Sequence, residues 1–133
     1  MTERLFKVLN VDGTPCHGGH GKWSLPHDSQ PGEWMPPIAD IKLCERGYHL
    51  CRVDDLFEWF GPLIVDAEYR GSRIDGGDKV VVSEARLLKV LNWNDRIARL
   101  FACDCAEHVL YIFEKDYPDD KRPRQTIKTA RCF

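Results

Sequence analysis

Thiols and imidazoles crowd two short stretches of this chain. Cys16-His17-Gly18-Gly19-His20 carries three of them, and Cys44, His49 and Cys51 follow in the second. Thiolate and neutral imidazole are the ligands of a tetrahedral zinc site, so Cys16, His20, Cys44, His49 and Cys51 form a candidate set. On an extended strand His49 and Cys51 point to one face, which suits shared ligation. No Cys-x-x-Cys pair is present, however, and structural zinc sites normally show such tight pairs. The competing reading makes Cys44 and Cys51 core thiols and leaves the histidines on a glycine loop. On that reading no cofactor is expected, and zinc stays the alternative.

Other groups point to binding rather than reaction. Trp34-Met35-Pro36-Pro37 joins two hot-spot residue types to prolines that stiffen the loop and lower its ordering cost. Arg124, Lys128 and Arg131, with Lys121 nearby, fall within a sector of about 80° on one helix, an acid-seeking strip. Without interleaved aromatics the strip suits a protein better than a nucleic acid, where several cations must converge on phosphates. Asp104 and His108 stand one helical turn apart and can hydrogen-bond. No third partner completes a nucleophile–base arrangement around them. The glycine-rich stretch lacks the Lys-Ser/Thr ending of a phosphate loop.

These residues need elements to place them. Leu5 to Leu9 reads as a first strand, ended by the turn chemistry of Asp12-Gly13. The segment 12–43 holds five of the ten glycines and five of the eight prolines, so little of it can be regular beyond a short strand at Lys22 to Leu25. Connections this long are usually functional or mobile. Gly47 to Cys51 reads as a strand and Val53 to Phe60 as a short helix stopped by Gly61-Pro62. Strands follow at Leu63 to Tyr69 and Lys79 to Leu91, joined through Gly71 and Gly76-Gly77. Asn94 is a suitable N-cap for a long helix. On it Ile97, Ala98, Phe101, Ala102, Cys105, Val109, Ile112 and Phe113 share one broad face, with Arg96, Glu107 and Glu114 opposite. Tyr117-Pro118 ends that helix. A second starts near Asp120, with Pro123 at a tolerated early position, and the short connection makes the two antiparallel.

Cys44-Glu45-Arg46-Gly47-Tyr48-His49-Leu50-Cys51, continued through Lys79-Val80-Val81-Val82, resembles an uncharacterised domain of phage and bacterial proteins across residues 44–91. That domain has a Cys-x-x-Gly-aromatic-His-x-Cys strand, a short helix and a later Gly…Lys-Val-Val strand. Cys105-Ala106-Glu107-His108-Val109-Leu110 and Tyr117-Pro118-Asp119-Asp120-Lys121-Arg122-Pro123-Arg124 resemble a helical segment of bacterial immunity proteins, across residues 97–131. Neither resemblance implies a reaction. Both imply a setting of mobile elements and toxin–immunity competition, in which proteins act by binding and blocking a partner. A third likeness is to the strand order of small ADP-ribosyltransferase-like folds. It implies Arg4, Tyr48, His49 and Glu84 as a set around NAD, the glutamate stabilising a developing sugar cation. Cys51 stands where that pattern has Ser or Thr.

Composition bounds these readings. A chain of 133 residues fits one domain that buries roughly two thirds of its unfolded surface. A net charge of −2 disfavours a general polyanion binder. No apolar run approaches the ~20 residues of a membrane helix. The first residues lack the pattern of a signal peptide, so a cytoplasmic protein (the host's cytoplasm if phage-encoded) with reduced cysteines is expected.

The expected fold is α+β: a small antiparallel sheet with one short helix over 1–91, including the long loop 12–43, then an antiparallel helical hairpin over 92–133. The two parts are expected to form one compact unit. The expected role is a protein-binding accessory factor of immunity type and not an enzyme. The alternatives are a nucleotide-binding protein and a zinc-stabilised module. Brief proteolysis should leave the chain whole around residue 92; clean release of the last forty or so residues would contradict the single unit.

Overall fold

A computed structural model describes residues 3–133. The chain divides into two compact units, 1–92 and 93–133, taken here in turn. The first contains β1 (Leu5–Leu9), β2 (Tyr48–Arg52), a 3-10 helix (Val53–Glu58), β3 (Leu63–Asp75) and β4 (Val80–Val90). The second contains α1 (Asp95–Asp116) and α2 (Arg122–Arg131). The α+β class and the C-terminal helix pair are as the sequence patterns predict.

The antiparallel sheet closes on itself, in the order β1-β2-β4-β3. Closure depends on β3, which pairs with β1 along Leu63–Ala67 and with β4 from Val65 to Asp75. Two register irregularities bend it, at Asp66/Ala67 and between Arg70 and Arg73. Gly71 sits in the second, with φ +83°, where an added Cβ would lie 2.3 Å from Ser83 Oγ. The residue read from sequence as a strand end is therefore a bulge inside a longer strand. Bulges of this kind increase twist and let a sheet curl.

The interior is apolar. Leu5, Leu9, Leu50, Val65, Val80 and Val82 pack there with Ala85 and Leu87. Complete burial of each larger side chain contributes about 1.5–3 kcal/mol. The alternate residues Phe6, Val8 and Ile64 are buried as well, so β1 has no solvent face. That explains why its sequence is apolar on both sides of the alternation.

The connection from β1 to β2 is irregular, as its glycines and prolines require, but it is pinned. Gly32, Met35 and Ile38 donate backbone N–H bonds of 2.8, 2.9 and 2.9 Å to the carbonyls of Leu87, Ala85 and Ser83. The segment thereby covers part of β4. No strand forms at Lys22 to Leu25, contrary to the sequence pattern. Trp23 instead donates a single bond of 2.9 Å to Gly13 and buries its ring against the core.

After β2 the chain turns into a 3-10 helix shorter than the expected Val53–Phe60 helix. Asp55, buried, accepts from Arg52 N at 2.9 Å and Nε at 2.8 Å. Burial works to raise the Asp55 pKa, but the hydrogen bonds and charge of Arg52 outweigh it and hold the carboxyl below its usual range.

In the second unit Asn94 caps α1 by accepting from Ile97 N at 2.9 Å. The seam with α2 is formed by Arg99, Cys103, Leu110 and Glu114. Cys103 and Leu110 are buried, and Arg99 Nε donates to the Ala130 carbonyl at 3.1 Å. By the 100° step of a helix this seam lies roughly 150° from the centre of the apolar face that begins at Ile97. The helix α2 thus covers the polar side of α1.

Two substitutions report on the barrel. Leu50→Ala should cost about 2–5 kcal/mol by leaving a cavity. Gly47→Ala should destabilise comparably or more, because Gly47 has φ +127° and its Cβ would meet Val81 Cγ2 at 2.4 Å. Urea unfolding of both variants checks this; wild-type midpoints would contradict the closed core.

Candidate functional site

The strands β1 and β2 pair at only two positions, Leu5 with Arg52 and Phe6 with Cys51. Beyond that ladder Lys7 occupies the gap. Its ammonium donates to the His49 carbonyl at 2.9 Å and lies 5.2 Å from the centre of the Trp23 ring. Lys7 makes no ion pair among the described residues. Burial lowers its pKa, and nearby Cys51 and Cys16 offset this only in part.

A cleft of about 460 Å³ opens beside it, with Trp23, Met35, Tyr48, His49 and Lys79 among its walls. Trp23 and Tyr48 meet edge to face, their centroids 5.3 Å apart. The Tyr48 hydroxyl donates to the Pro36 carbonyl at 2.5 Å, which ties the long connection to β2. Burial, then the charge of Glu84, raises the Tyr48 pKa, so the group remains a phenol.

His49 is held in one tautomer. Cys44 N–H donates to Nε2 at 2.8 Å, so the proton sits on Nδ1, towards the Gly47 carbonyl. Burial, then the charges of Lys7 and Lys79, lower its pKa. Cys51, also buried, is pushed up to about 11 and stays a thiol. Cys44 is exposed and adopts φ 65°. Cys16 packs beside Gly61, where an added Cβ would approach its sulfur to 2.8 Å.

Of the proposed zinc ligands, His20, Cys44, His49 and Cys51 all line this cleft. The Nε2 lone pair of His49 is taken by an amide, and the Cys51 thiol is buried and protonated. His17, on the same loop as Cys16 and His20, donates from Nε2 to the carbonyls of Trp59 and Phe60 at 2.9 and 3.0 Å. Among the described residues no three His, Cys, Asp or Glu side chains are grouped to hold a metal.

The four residues of the nucleotide reading are also divided. Tyr48 and His49 line the cleft, whereas Arg4 and Glu84 do not. Arg4 makes a two-pronged pair with Asp66, both contacts at 2.8 Å. Glu84 accepts from Arg70 at 2.6 Å.

Of the partner-binding residues, Trp34 is partly buried beneath two guanidinium groups, Arg70 at 4.1 Å and Arg86 at 4.9 Å. Met35 packs against the barrel core. On the hairpin, Arg124 pairs with Glu114 at 2.8 and 2.5 Å. Arg131 joins Asp104 at 2.8 Å and also binds Glu107. Asp104 is thus engaged by Arg131. Lys121 donates to the Pro118 carbonyl at 2.9 Å. Lys128 is exposed and makes no ion pair among the described residues. Much of the strip's charge is already met within the hairpin.

On the far side of α1, Val109 is 50% exposed and Ile112 is 54% exposed. Ala102 and Cys105, on the same face, are exposed too. Lys7 was missed by motif reasoning; the available signal was a lone cation inside the apolar run Leu5-Phe6-Lys7-Val8-Leu9.

The lowered pKa of His49 has a definite sign for stability. Below about pH 6.5 the unfolded chain binds a proton that folded His49 resists. Stability should therefore fall as pH drops from about 6.5 towards the folded pKa. Urea midpoints at pH 7.5 and 5.5 measure the loss, which His49→Gln should diminish; an unchanged loss would contradict this assignment.

Residues 92–133 match the family model described as Imm-5 like putative immunity protein. The match covers the helical hairpin and agrees with the immunity-type likeness of that segment. No curated protein and no solved structure matches the chain. No helix among the described residues is long and apolar enough to cross a membrane.

Proposed function

We propose that the protein is an immunity-type factor that acts by binding and blocking a partner protein, without catalysing a reaction, in the cytoplasm. One observation carries the reading: the segment matched by the immunity family model is a helical hairpin with an apolar face on α1 that α2 leaves uncovered. Exposed apolar residues in a row are a common mark of a protein interface. The arginine–carboxylate pairs across the hairpin hold α2 on the opposite side of α1 and so keep that face presented.

On this reading Val109 and Ile112 supply contact area, and Lys128 with Lys121 supplies peripheral charge. Arg124 and Arg131 act first as braces of the hairpin. The loop residues Trp34 and Met35 belong to the same proposal as a second contact region, with Trp34 oriented by its two arginines. The nucleotide-binding reading has weaker support, because Arg4 and Glu84 lie outside the cleft that holds Tyr48 and His49.

The test is a protection assay in cells that express this protein with the toxin encoded beside its gene. Wild-type protein should restore growth, and Val109→Glu with Ile112→Glu should abolish rescue while leaving the helical circular dichroism intact. Full rescue by the folded double variant would remove the α1 face from the proposal. Rescue that needs no binding between the two proteins, seen as separate species in native mass spectrometry, would remove the blocking mechanism.

A further inference from the structure

Two ammonium groups, those of Lys7 and Lys79, line the cleft beside β1, and the cleft offers them little counter-charge. Lys7 Nζ carries three N–H donors and gives one of them to the His49 carbonyl at 2.9 Å. Its one other contact among the described residues is with the Trp23 ring. Lys79 lies 4.8 Å from the centre of the Trp59 ring, and its pair with Asp78 is long at 3.6 Å. Glu45 is the one carboxylate among the described lining residues, and Lys42 engages it at 3.0 Å. A half-buried cation whose only hydrogen bond is to a neutral carbonyl has given up water that the protein does not replace. An anion arriving there meets less screening than it would at an open surface.

The rest of the wall sets the shape and polarity of what can enter. The cleft has about 460 Å³ of space, within the range of small-molecule sites. Trp23, Met35 and Ile38 give it an apolar side. Three polar groups of the wall are already committed: the Tyr48 hydroxyl to the Pro36 carbonyl, His49 Nε2 to the Cys44 N–H, and Trp59 Nε1 to the Asp78 carbonyl. The charges of Lys7 and Lys79 both bear on the ring of His49, which places the two cations around one region of the cleft.

We infer that this cleft binds a small organic acid, its carboxylate held by Lys7 Nζ and its apolar body laid along Trp23 and Met35. Lys79 adds to the attracting field. The carboxylate takes the N–H donors that the barrel leaves without an acceptor, and so supplies the counter-charge that Lys7 lacks. Inorganic phosphate would meet the charge but not the apolar side. The inference concerns the first unit alone and does not depend on the immunity-type reading of the hairpin.

The experiment is calorimetric titration of the full chain at pH 7 with phenylacetate, its near-isosteric neutral amide phenylacetamide, and inorganic phosphate. Phenylacetate should bind about tenfold more tightly than either, the factor that one charge-assisted hydrogen bond gives. Lys7→Gln should weaken phenylacetate about tenfold and Lys79→Gln less, whereas Lys128→Gln on the hairpin should change nothing. Phenylacetamide binding as tightly as phenylacetate, or no binding of phenylacetate at millimolar concentration, would overturn the inference. So would unchanged affinity in a folded Lys7→Gln variant. Phosphate binding as tightly as phenylacetate would overturn the role given to the apolar side. If Lys7→Gln fails to fold, the ratio of acid to amide in the wild-type chain decides.

Discussion

The first unit hangs on the double pairing of β3. One strand must lie against β1 on one edge and against β4 on the other, and a straight strand in a flat sheet cannot close that circuit. The bend at Gly71 and the irregularity at Asp66/Ala67 supply the curvature. Closure then dictates the rest. It buries both alternations of β1, gives the valines of β4 an interior, and leaves few open edges to attract another chain. It also explains the long connection, which runs over β4 through bonds from Gly32, Met35 and Ile38.

The chemistry of the cleft follows from the same constraint. The strands β1 and β2 meet over only two residue pairs, so the barrel has a seam there that side chains must fill. Lys7, Trp23, Tyr48 and the backbone of His49 fill it. Partial burial is the main physical influence on this region: it lowers Lys7 and His49 and raises Cys16, Cys51 and Tyr48, always in favour of the neutral form. Among the thiols and imidazoles that the sequence groups here, His49 accepts from the Cys44 N–H at Nε2 and Cys51 is a buried thiol.

In the second unit the packing runs against simple amphipathic expectation. The helix α1 has an apolar face and a charged one, and α2 docks on the charged one. Ion pairs of Arg124 and Arg131 with Glu114, Asp104 and Glu107 line that seam, with Cys103 and Leu110 buried between them. Exposed ion pairs are individually weak, contributing about 0–1 kcal/mol each. Their importance here is positional, since they choose which side of α1 is covered. Val109 and Ile112 on the apolar face stay exposed, in the segment that matches an immunity family model.

Sequence alone determined the elements whose signals are local. Alternation marked β1, valine content marked β4, Asn94 and Tyr117-Pro118 bounded α1, and Pro123 marked the start of α2. The hairpin's likeness was carried by a contiguous motif and was legible for the same reason. Closure, the bulge at Gly71, the pinned path of segment 10–47 and the choice of α1 face depended on contacts between residues far apart in the chain. Periodicity and spacing carry no record of those. The environment of Lys7 is the clearest case: its neighbours in sequence identify a charge in an apolar strand, but the carbonyl it meets belongs to His49, some forty positions away. Local pattern can specify what an element is; only the closed barrel decides what surrounds it, because burial and charge act through space.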